Sequence, residues 1–166
     1  MSDITVNVGG YRVNLRVGAI VCQGDKVLVC RMRDKNWWFL PGGRIKTNES
    51  SLVALKRELS EEIGESFHIV RPAICSENFF ELDGHSFHEV CTYYEVQWLG
   101  TENLEQQENA NEVFDWIARK DVSNIDLKPA FIKRHLVNPS PNLELVIHRD
   151  GEQGAGADGV NAAAPD

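Results

Sequence analysis

This sequence of 166 residues lacks the features that mark membrane-spanning, secreted and nucleic-acid-binding proteins. No stretch approaches the run of about 18 apolar residues that a membrane-spanning helix needs. The first residues, MSDITVNVGG, have neither the basic nor the apolar region of a secretion signal. Lysine and arginine number 17 against 25 acidic residues, so the net charge of -8 disfavours binding to nucleic acid or to an anionic membrane. We therefore expect a soluble, cytoplasmic protein, in which a phosphate-bearing ligand would need a bound cation or a local basic patch.

Cysteine motifs are also missing. The four cysteines, Cys22, Cys30, Cys75 and Cys91, form no C-x-x-C pair and have no spacing typical of a zinc site. Each lies in an apolar run, where a cysteine behaves as a small apolar side chain. We interpret all four as reduced residues of the protein core.

The length and the hydrophobic share of 42% suit one globular core rather than two. The last segment, DGEQGAGADGVNAAAPD, contains almost no large apolar side chain. Such a segment cannot bury enough surface to offset the entropy lost on ordering. We predict one domain at residues 1–149, beginning with a β-hairpin, and a disordered tail at residues 150–166.

Alternating and apolar runs predict a series of β-strands. Residues 5–17 alternate around Gly9 and Gly10, which suit a two-residue hairpin turn, and the second strand continues through GAIVC. The run KVLVCRM is apolar enough for a strand buried on both faces. Further strands are predicted at NWWFL, at SFHIVRPAICSENFFEL and HSFHEVCTYYEVQWL around the turn LDG, at EVFDWIA and at NLELVIHR.

An amphipathic helix is predicted over residues 49–63. Its apolar residues recur at spacings of three and four, the period of a helix with one buried face: Leu52, Leu55, Leu59 and Ile63. Thr47 or Asn48 can cap its first turn, and Gly64 is placed to end it. A second helix is predicted at DLKPAFIKRHL, with Pro129 near its first turn. Strands interleaved with helices indicate an α/β protein, with a mixed β-sheet and flanking helices.

The first helix carries Glu58, Glu61 and Glu62, whose spacings of three and four place their carboxylates on one face. Like charges this close repel one another, whereas a hard divalent cation prefers oxygen ligands of this kind. A solvated acidic face paired with Lys56 and Arg57 remains an alternative. Immediately upstream, the segment Leu40-Pro41-Gly42-Gly43 predicts a tight loop whose backbone can approach a metal or a phosphate closely.

The pattern G-x5-E-x7-R-E-U-x-E-E-x-G, where U is a bulky aliphatic residue, resembles the signature of the Nudix family. Its eight specified positions are occupied here by Gly43, Glu49, Arg57, Glu58, Leu59, Glu61, Glu62 and Gly64. The preceding W-F-L-P-G-G is similar to the family's approach to this signature. Over about residues 10–137 the order of strands resembles the Nudix α/β/α sandwich. One position departs from the pattern, because Glu65 stands where the family usually has an aliphatic packing residue.

The resemblance implies hydrolysis of a nucleoside diphosphate linked to another group, with Mg²⁺ or Mn²⁺ as the cofactor. It also implies that Glu58, Glu61 and Glu62 bind the metal together with a backbone carbonyl of Gly42 or Gly43. Arg57 would orient these glutamates, through Glu49 or Glu61, as part of the catalytic set.

The general base is less well defined by the resemblance, because family members draw it from the signature or from a later loop. The later loop here contains several glutamates: Glu102, Glu105, Glu108 and Glu112. We predict Glu112, directly before the strand EVFDWIA, as the catalytic base. A solvated acidic loop is the alternative for each of them.

Substrate choice lies outside the signature. The proline of ADP-ribose pyrophosphatases is missing near Phe80, and the tyrosine of dinucleoside polyphosphate hydrolases is missing at Glu81 and Leu82. We predict that the substrate contacts Arg33 and Arg44, which flank the glycine loop, together with Trp38 and His88. Core or solvated roles are the alternatives for these four side chains.

Three functions follow from the resemblance. The first is Mg²⁺-dependent hydrolysis of a pyrophosphate bond in a nucleoside triphosphate or another nucleoside diphosphate derivative, which releases a nucleoside monophosphate. The second is hydrolysis of a nucleotide sugar of the ADP-ribose type. The third is a regulatory domain that binds a nucleotide without hydrolysing it. A homodimer is compatible with the family, and we expect a small nucleotide rather than nucleic acid as the partner.

Overall fold

A computed structural model of the protein describes residues 1–101, 104 and 111–151. Within these residues, eight strands form one sheet. The strands are β1 (Thr5–Val8), β2 (Tyr11–Gln23), β3 (Lys26–Met32), β4 (Gly42–Arg44), β5 (Phe67–Leu82), β6 (His85–Trp98), β7 (Glu112–Ala118) and β8 (Glu144–Arg149). The helices are α1 (Ser51–Ile63), α2 (Ile132–Val137) and a 3₁₀ helix at Arg119–Asn124.

The sheet has the order β7-β3-β2-β6-β5-β8, and β1 and β4 both pair with β2. Strand β2 is parallel to β6, and β5 is parallel to β8. The remaining strand pairs are antiparallel, including the long hairpin of β5 and β6. The predicted mixed sheet with flanking helices is therefore confirmed.

Strands β2 and β3 separate soon after the turn that joins them. They pair at only two positions, Cys22 with Val27 and Gln23 with Lys26. Residues 39–44 lie between them, because Phe39 exchanges backbone hydrogen bonds with Cys30 and the carbonyl of Pro41 accepts one from Ala19. The predicted aromatic strand is thus replaced by isolated bridges at Trp38 and Phe39, and the following glycines form β4 instead. This insertion places the glycine loop in the middle of the sheet.

Apolar side chains fill both faces of the sheet. Consecutive residues of β3, from Val27 to Cys30, are fully buried, which confirms the prediction of a strand covered on both sides. On one face, Ala54, Leu55 and Leu59 of α1 pack against β2, β3 and β6. On the other face, α2 and the segment before it form a second core.

Helix α1 begins two residues later than predicted. Its N-cap is Ser50, whose Oγ accepts a hydrogen bond from the Val53 backbone, rather than Thr47 or Asn48. The helix ends at Gly64, as predicted, because a φ of 83° there suits glycine. Helix α2 is shorter than predicted, because the backbone of residues 126–128 instead forms hydrogen bonds with Trp38.

The four cysteines are free thiols, and Cys30 and Cys91 are fully buried. No helix in the described part of the chain is long and apolar enough to cross a bilayer. The predicted tail beyond residue 151 lies outside the described residues, and so do Glu102, Glu105 and Glu108.

Gly18 of β2 is required by the close packing of a buried ring. A Cβ atom at this position would overlap the side chain of Tyr93, which is itself buried in the second core. We expect Gly18→Ala to lower the free energy of unfolding by about 1–3 kcal/mol, because the ring must move within a packed interior. Denaturant unfolding checks this value. Adding Tyr93→Leu should reduce the cost of Gly18→Ala, and strictly additive effects of the two substitutions would contradict the steric explanation.

Candidate active site

Arg57 organises the start of the acidic cluster. Its Nε and Nη2 atoms donate to the two oxygens of Glu49, each at 2.9 Å, and Nη1 donates to Glu58 Oε1 at 2.6 Å. A further bond from Nη2 reaches the backbone carbonyl of Arg44 at 3.0 Å. Of the two predicted partners of Arg57, Glu49 is the one that forms hydrogen bonds with it. Glu61 Oε1 lies 3.9 Å from Nη1, which is too far for a hydrogen bond.

Glu49 is the anchor of this network, because its side chain is only 4% exposed. Its Oε2 atom also accepts a hydrogen bond from the backbone of Lys46 at 2.9 Å. The hydrogen bonds from Arg57 lower the pKa of Glu49 to about 2, and they raise the pKa of Arg57 above its usual range. Both side chains are therefore charged at neutral pH, and the pair joins the loop before α1 to the helix.

Glu58 lies directly against the glycine loop. A Cβ atom on Gly43 would overlap the Glu58 carboxylate, so this position accepts only glycine without a shift. Gly42 has a φ of 136°, and a Cβ there would overlap the backbone of Val17 in the neighbouring strand. The two glycines thus allow the backbone of β4 to approach the carboxylates of α1.

Glu62 faces the same loop. The backbone N–H of Gly42 donates to Glu62 Oε2 at 3.0 Å. Burial, and after it the charges of Glu112 and Glu58, raise the pKa of Glu62 to about 8, although the hydrogen bond from Gly42 opposes them. The pKa of Glu112 is also raised, first by burial and then by the charge of Glu58. Glu58, Glu62 and Glu112 therefore repel one another when ionised, and a cation beside the glycine loop would relieve this repulsion.

The predicted metal ligands differ in their placement. Glu58, Glu62, Gly42 and Gly43 are brought together, whereas the side chain of Glu61 is 62% exposed at the rim. Among the described residues, no three acidic, histidine or cysteine side chains converge as a complete metal cage. The oxygen-only donor set fits Mg²⁺, which often takes one or two carboxylates and completes its shell with water and phosphate.

A cavity of about 500 Å³ lies beside the carboxylates. Gly42 and Glu112 form part of its wall and so connect it to the acidic cluster. Other wall residues combine aromatic and polar side chains: Arg16, Trp37, Asn78, Phe80, Glu89 and Tyr93. A cavity of this size, with aromatic walls and a few polar groups, is typical of a small-molecule site.

Among the described residues, the four predicted substrate residues lie outside the wall of this cavity. Trp37 lines it, whereas Trp38 packs against the second core beneath the Arg31 guanidinium, 5.1 Å from its ring. Successive residues of β6 face opposite sides of the sheet, so Glu89 lines the cavity and His88 does not. His88 stacks on Phe79 instead, with a centroid distance of 4.2 Å.

The two predicted arginines, Arg33 and Arg44, make contacts outside the cavity wall. Arg44 belongs to β4, and its guanidinium forms an ion pair with Asp3 at 3.5 Å. The backbone N–H of Arg33 donates to the carbonyl of Asn111 at 3.0 Å, which positions the residue preceding Glu112. Neither arginine side chain belongs to the cavity wall among the described residues.

Several polar and aromatic wall residues were given no substrate role by the sequence, among them Arg16, Trp37, Asn78 and Glu89. A signal for Glu89 was present, because an acidic residue in an apolar strand is rarely buried without a purpose. For Asn78 and Arg16, the alternation along their strands indicates two faces but not which face borders a cavity.

Glu65, the one departure from the signature, is exposed after the end of α1. A glutamate at this position therefore costs no core packing. The match to the family model extends well beyond the signature, because the model for the NUDIX domain covers residues 13–137. This chain belongs to the Nudix family.

Individual Nudix relatives match this chain over a short stretch or at low sequence identity. An 8-oxo-dGTP diphosphatase of Buchnera aphidicola is 35% identical over 72 residues, which are 41% of this chain and 55% of that protein. An RNA pyrophosphohydrolase of Francisella philomiragia is 25% identical over 127 residues, covering 68% of this chain and 81% of the relative. The chain thus spans little more than half of the first relative and most of the second.

Solved Nudix structures share the fold. The crystal structure of a MutT protein from Bacillus halodurans has a TM-score of 0.62 and 20% sequence identity, over 81% of this chain and 89% of that one. At this identity the likeness demonstrates the fold alone. The roles of individual side chains in this Nudix chain therefore depend on the geometry of its own site.

Proposed function

We propose that this Nudix protein hydrolyses a pyrophosphate bond in a nucleoside triphosphate or another nucleoside diphosphate derivative and releases a nucleoside monophosphate. The observation that carries the proposal is the contact of Glu58 and Glu62 with the glycine loop, beside a cavity of about 500 Å³ whose wall includes Glu112. The two relatives described above are named for cleavage of phosphoanhydride bonds in nucleotides or RNA, which agrees with this chemistry.

Glu58, Glu62 and a backbone carbonyl of Gly42 or Gly43 would hold Mg²⁺ or Mn²⁺, with Glu61 contributing from the rim. When bound, such a cation supplies charge neutralisation for the diphosphate and lowers the pKa of a coordinated water. Arg57 holds Glu58 in place through its bond of 2.6 Å. Without this bond, the carboxylate would be free to turn away from Gly43.

Glu112 is the proposed general base. It lies at the wall of the cavity, and burial together with the charge of Glu58 raises its pKa toward the range in which a carboxylate accepts a proton efficiently. As Glu112 takes the proton of the attacking water, the water oxygen bonds to phosphorus and the bond to the bridging oxygen breaks. The products are a nucleoside monophosphate and either pyrophosphate, from a triphosphate, or the phosphorylated leaving group, from another diphosphate derivative.

The net charge of -8 supports a small nucleotide rather than a nucleic acid as the substrate. A hydrolysis panel tests the proposal directly. It includes the nucleoside triphosphates, ADP-ribose and other nucleotide sugars with Mg²⁺ or Mn²⁺, and Glu62→Gln provides the background rate. We expect wild-type protein to release a nucleoside monophosphate from at least one compound and chelation of the metal to stop it. Rates no higher than those of the variant for every compound would refute the proposed activity.

A further inference from the structure

Two buried polar side chains lie side by side in the cavity wall. Asn78 of β5 and Glu89 of β6 are directly opposite each other in the antiparallel ladder, and both line the cavity. They are only 6% and 8% exposed. Opposed residues of antiparallel strands have Cβ atoms about 5 Å apart, so one planar group of a ligand can contact both.

Neither side chain has its hydrogen-bonding capacity filled by the described part of the protein. Asn78 Oδ1 is buried without a hydrogen-bond partner. Glu89 Oε2 lies 3.7 Å from Arg16 Nε, which is close enough for charge attraction but too far for a hydrogen bond. A buried polar group without a hydrogen-bond partner destabilises the fold. The Glu89 oxygens are therefore available to hydrogen-bond donors of a ligand in the cavity.

The pair lies at a suitable distance from the proposed reaction centre. Gly42 pairs with Gly18, and Gly18 is in register with Tyr93 of β6. Glu89 is four residues from Tyr93 along the same strand, about 13 Å, and β2 separates β4 from β6 by two strand spacings of about 4.8 Å each, so the glycine loop and Glu89 lie about 16 Å apart. This length accommodates a phosphate, a sugar and a base together with the Glu89 side chain.

Aromatic rings complete this end of the cavity. Trp37 and Phe80 both belong to its wall. The ring of Phe80 is stacked on Phe87 with a centroid distance of 4.9 Å, which holds it in one orientation. Flat apolar surfaces beside polar groups favour a planar ring with hydrogen-bonding atoms at its edge.

We propose that Glu89 and Asn78 recognise the base of the nucleotide and select guanine. This inference rests on the proposed function, since it identifies the substrate of the same site. A carboxylate only accepts hydrogen bonds, and its two oxygens match two neighbouring N–H donors. Guanine presents such a pair, N1–H and the 2-amino group, and the O6 atom beside them would accept a hydrogen bond from Asn78 Nδ2.

The other bases do not offer this edge. In adenine and cytosine, the amino group has an unprotonated ring nitrogen beside it, which would face the Glu89 carboxylate with a lone pair. The single N–H of uracil is flanked by two carbonyl oxygens. Each of these bases would leave an acceptor against an acceptor in a buried place, which is costly.

The test compares GTP, ITP and ATP as substrates of wild-type protein, Glu89→Gln and Asn78→Leu. ITP differs from GTP only by lacking the 2-amino group, so we expect wild-type kcat/KM to be about 10- to 100-fold higher for GTP. Glu89→Gln should abolish this preference. Asn78→Leu should lower kcat/KM for GTP and ITP alike, by about tenfold, because both carry O6. Glu77→Gln removes the same charge from the opposite face of β5 and should change neither ratio.

Binding of GMP and IMP, measured by calorimetry without metal, separates this inference from the proposed function. If no triphosphate is hydrolysed, tighter binding of GMP than of IMP by wild-type protein, lost in Glu89→Gln, still supports guanine recognition. Equal binding of the two monophosphates would overturn it. Equal kcat/KM for GTP and ITP in active protein would also overturn guanine recognition. A preference for GTP that remains in Glu89→Gln would do the same. If Asn78→Leu does not fold, the nearly isosteric Glu89→Gln decides the question alone.

Discussion

Replacing Glu62 with glutamine is expected to lower kcat/KM by about a thousandfold or more. The change removes one of the carboxylates proposed to bind the metal, and metal-based charge stabilisation is worth several kcal/mol in such reactions. Steady-state kinetics with saturating Mg²⁺ measures the loss. Glu65→Gln, an exposed change of the same type three residues away, serves as the matched control and should retain wild-type activity.

The same substitution should stabilise the metal-free protein at high pH. In the fold, the pKa of Glu62 is raised to about 8, first by burial and then by the charges of Glu112 and Glu58. The stability associated with the protonated form is complete below the unfolded-state pKa and is lost as pH rises through about 8. Glutamine never ionises, so Glu62→Gln should exceed wild-type stability by about 2–4 kcal/mol at pH 9.

Denaturant unfolding in the presence of a chelator at pH 6 and pH 9 tests this expectation. The wild-type free energy of unfolding should fall between these pH values, and the fall should be smaller in Glu62→Gln. Because a cation must displace the proton, the metal affinity of wild-type protein should rise with pH up to about 8. Identical pH profiles for the two proteins would show that the pKa of Glu62 is not raised in the fold.

Arg57→Ala is expected to combine a large loss of stability with a loss of activity. The substitution leaves the buried Glu49 without its two hydrogen bonds from the guanidinium, at a cost of about 3 kcal/mol. It also frees Glu58 from its bond of 2.6 Å, and a displaced carboxylate should lower kcat about a hundredfold. Unfolding curves and steady-state kinetics measure the two effects. Lys56→Ala, an exposed basic position next in the helix, should change neither by a comparable amount.

The loss of folding stability at acid pH provides a second test of the pair formed by Arg57 and Glu49. The hydrogen bonds from Arg57 lower the pKa of Glu49 to about 2 in the fold. Its contribution to stability is complete above the unfolded-state pKa and is lost as pH falls through about 2. Wild-type protein should therefore lose stability between about pH 4.5 and pH 2 more steeply than Arg57→Ala. An unchanged slope in the variant would mean that Glu49 draws its low pKa from another source.

Several parts of this site followed from local pattern. The helical spacing of Glu58, Glu61 and Glu62 predicted their common face, and the glycines upstream predicted close approach of the backbone. Even so, Glu61 lies exposed at the rim, while Glu58 and Glu62 meet Gly43 and Gly42. Helical periodicity shows on which side of the helix a side chain lies, but it does not show which of those side chains the neighbouring strand contacts.

The helix, its glutamates, the glycine loop and the family were predictable from sequence, because these depend on residues close together in the chain. That Trp37 rather than Trp38, and Glu89 rather than His88, line the cavity became visible in the folded protein alone. Neighbouring strand residues alternate between two faces, and both faces of this sheet are covered, so apolar content does not distinguish them. The pairing of Asn78 with Glu89, and of Arg57 with Glu49, likewise depends on strand register and on how the loop packs against α1. Those contacts are made by the whole fold, and they determine which part of a nucleotide the carboxylates of α1 can reach.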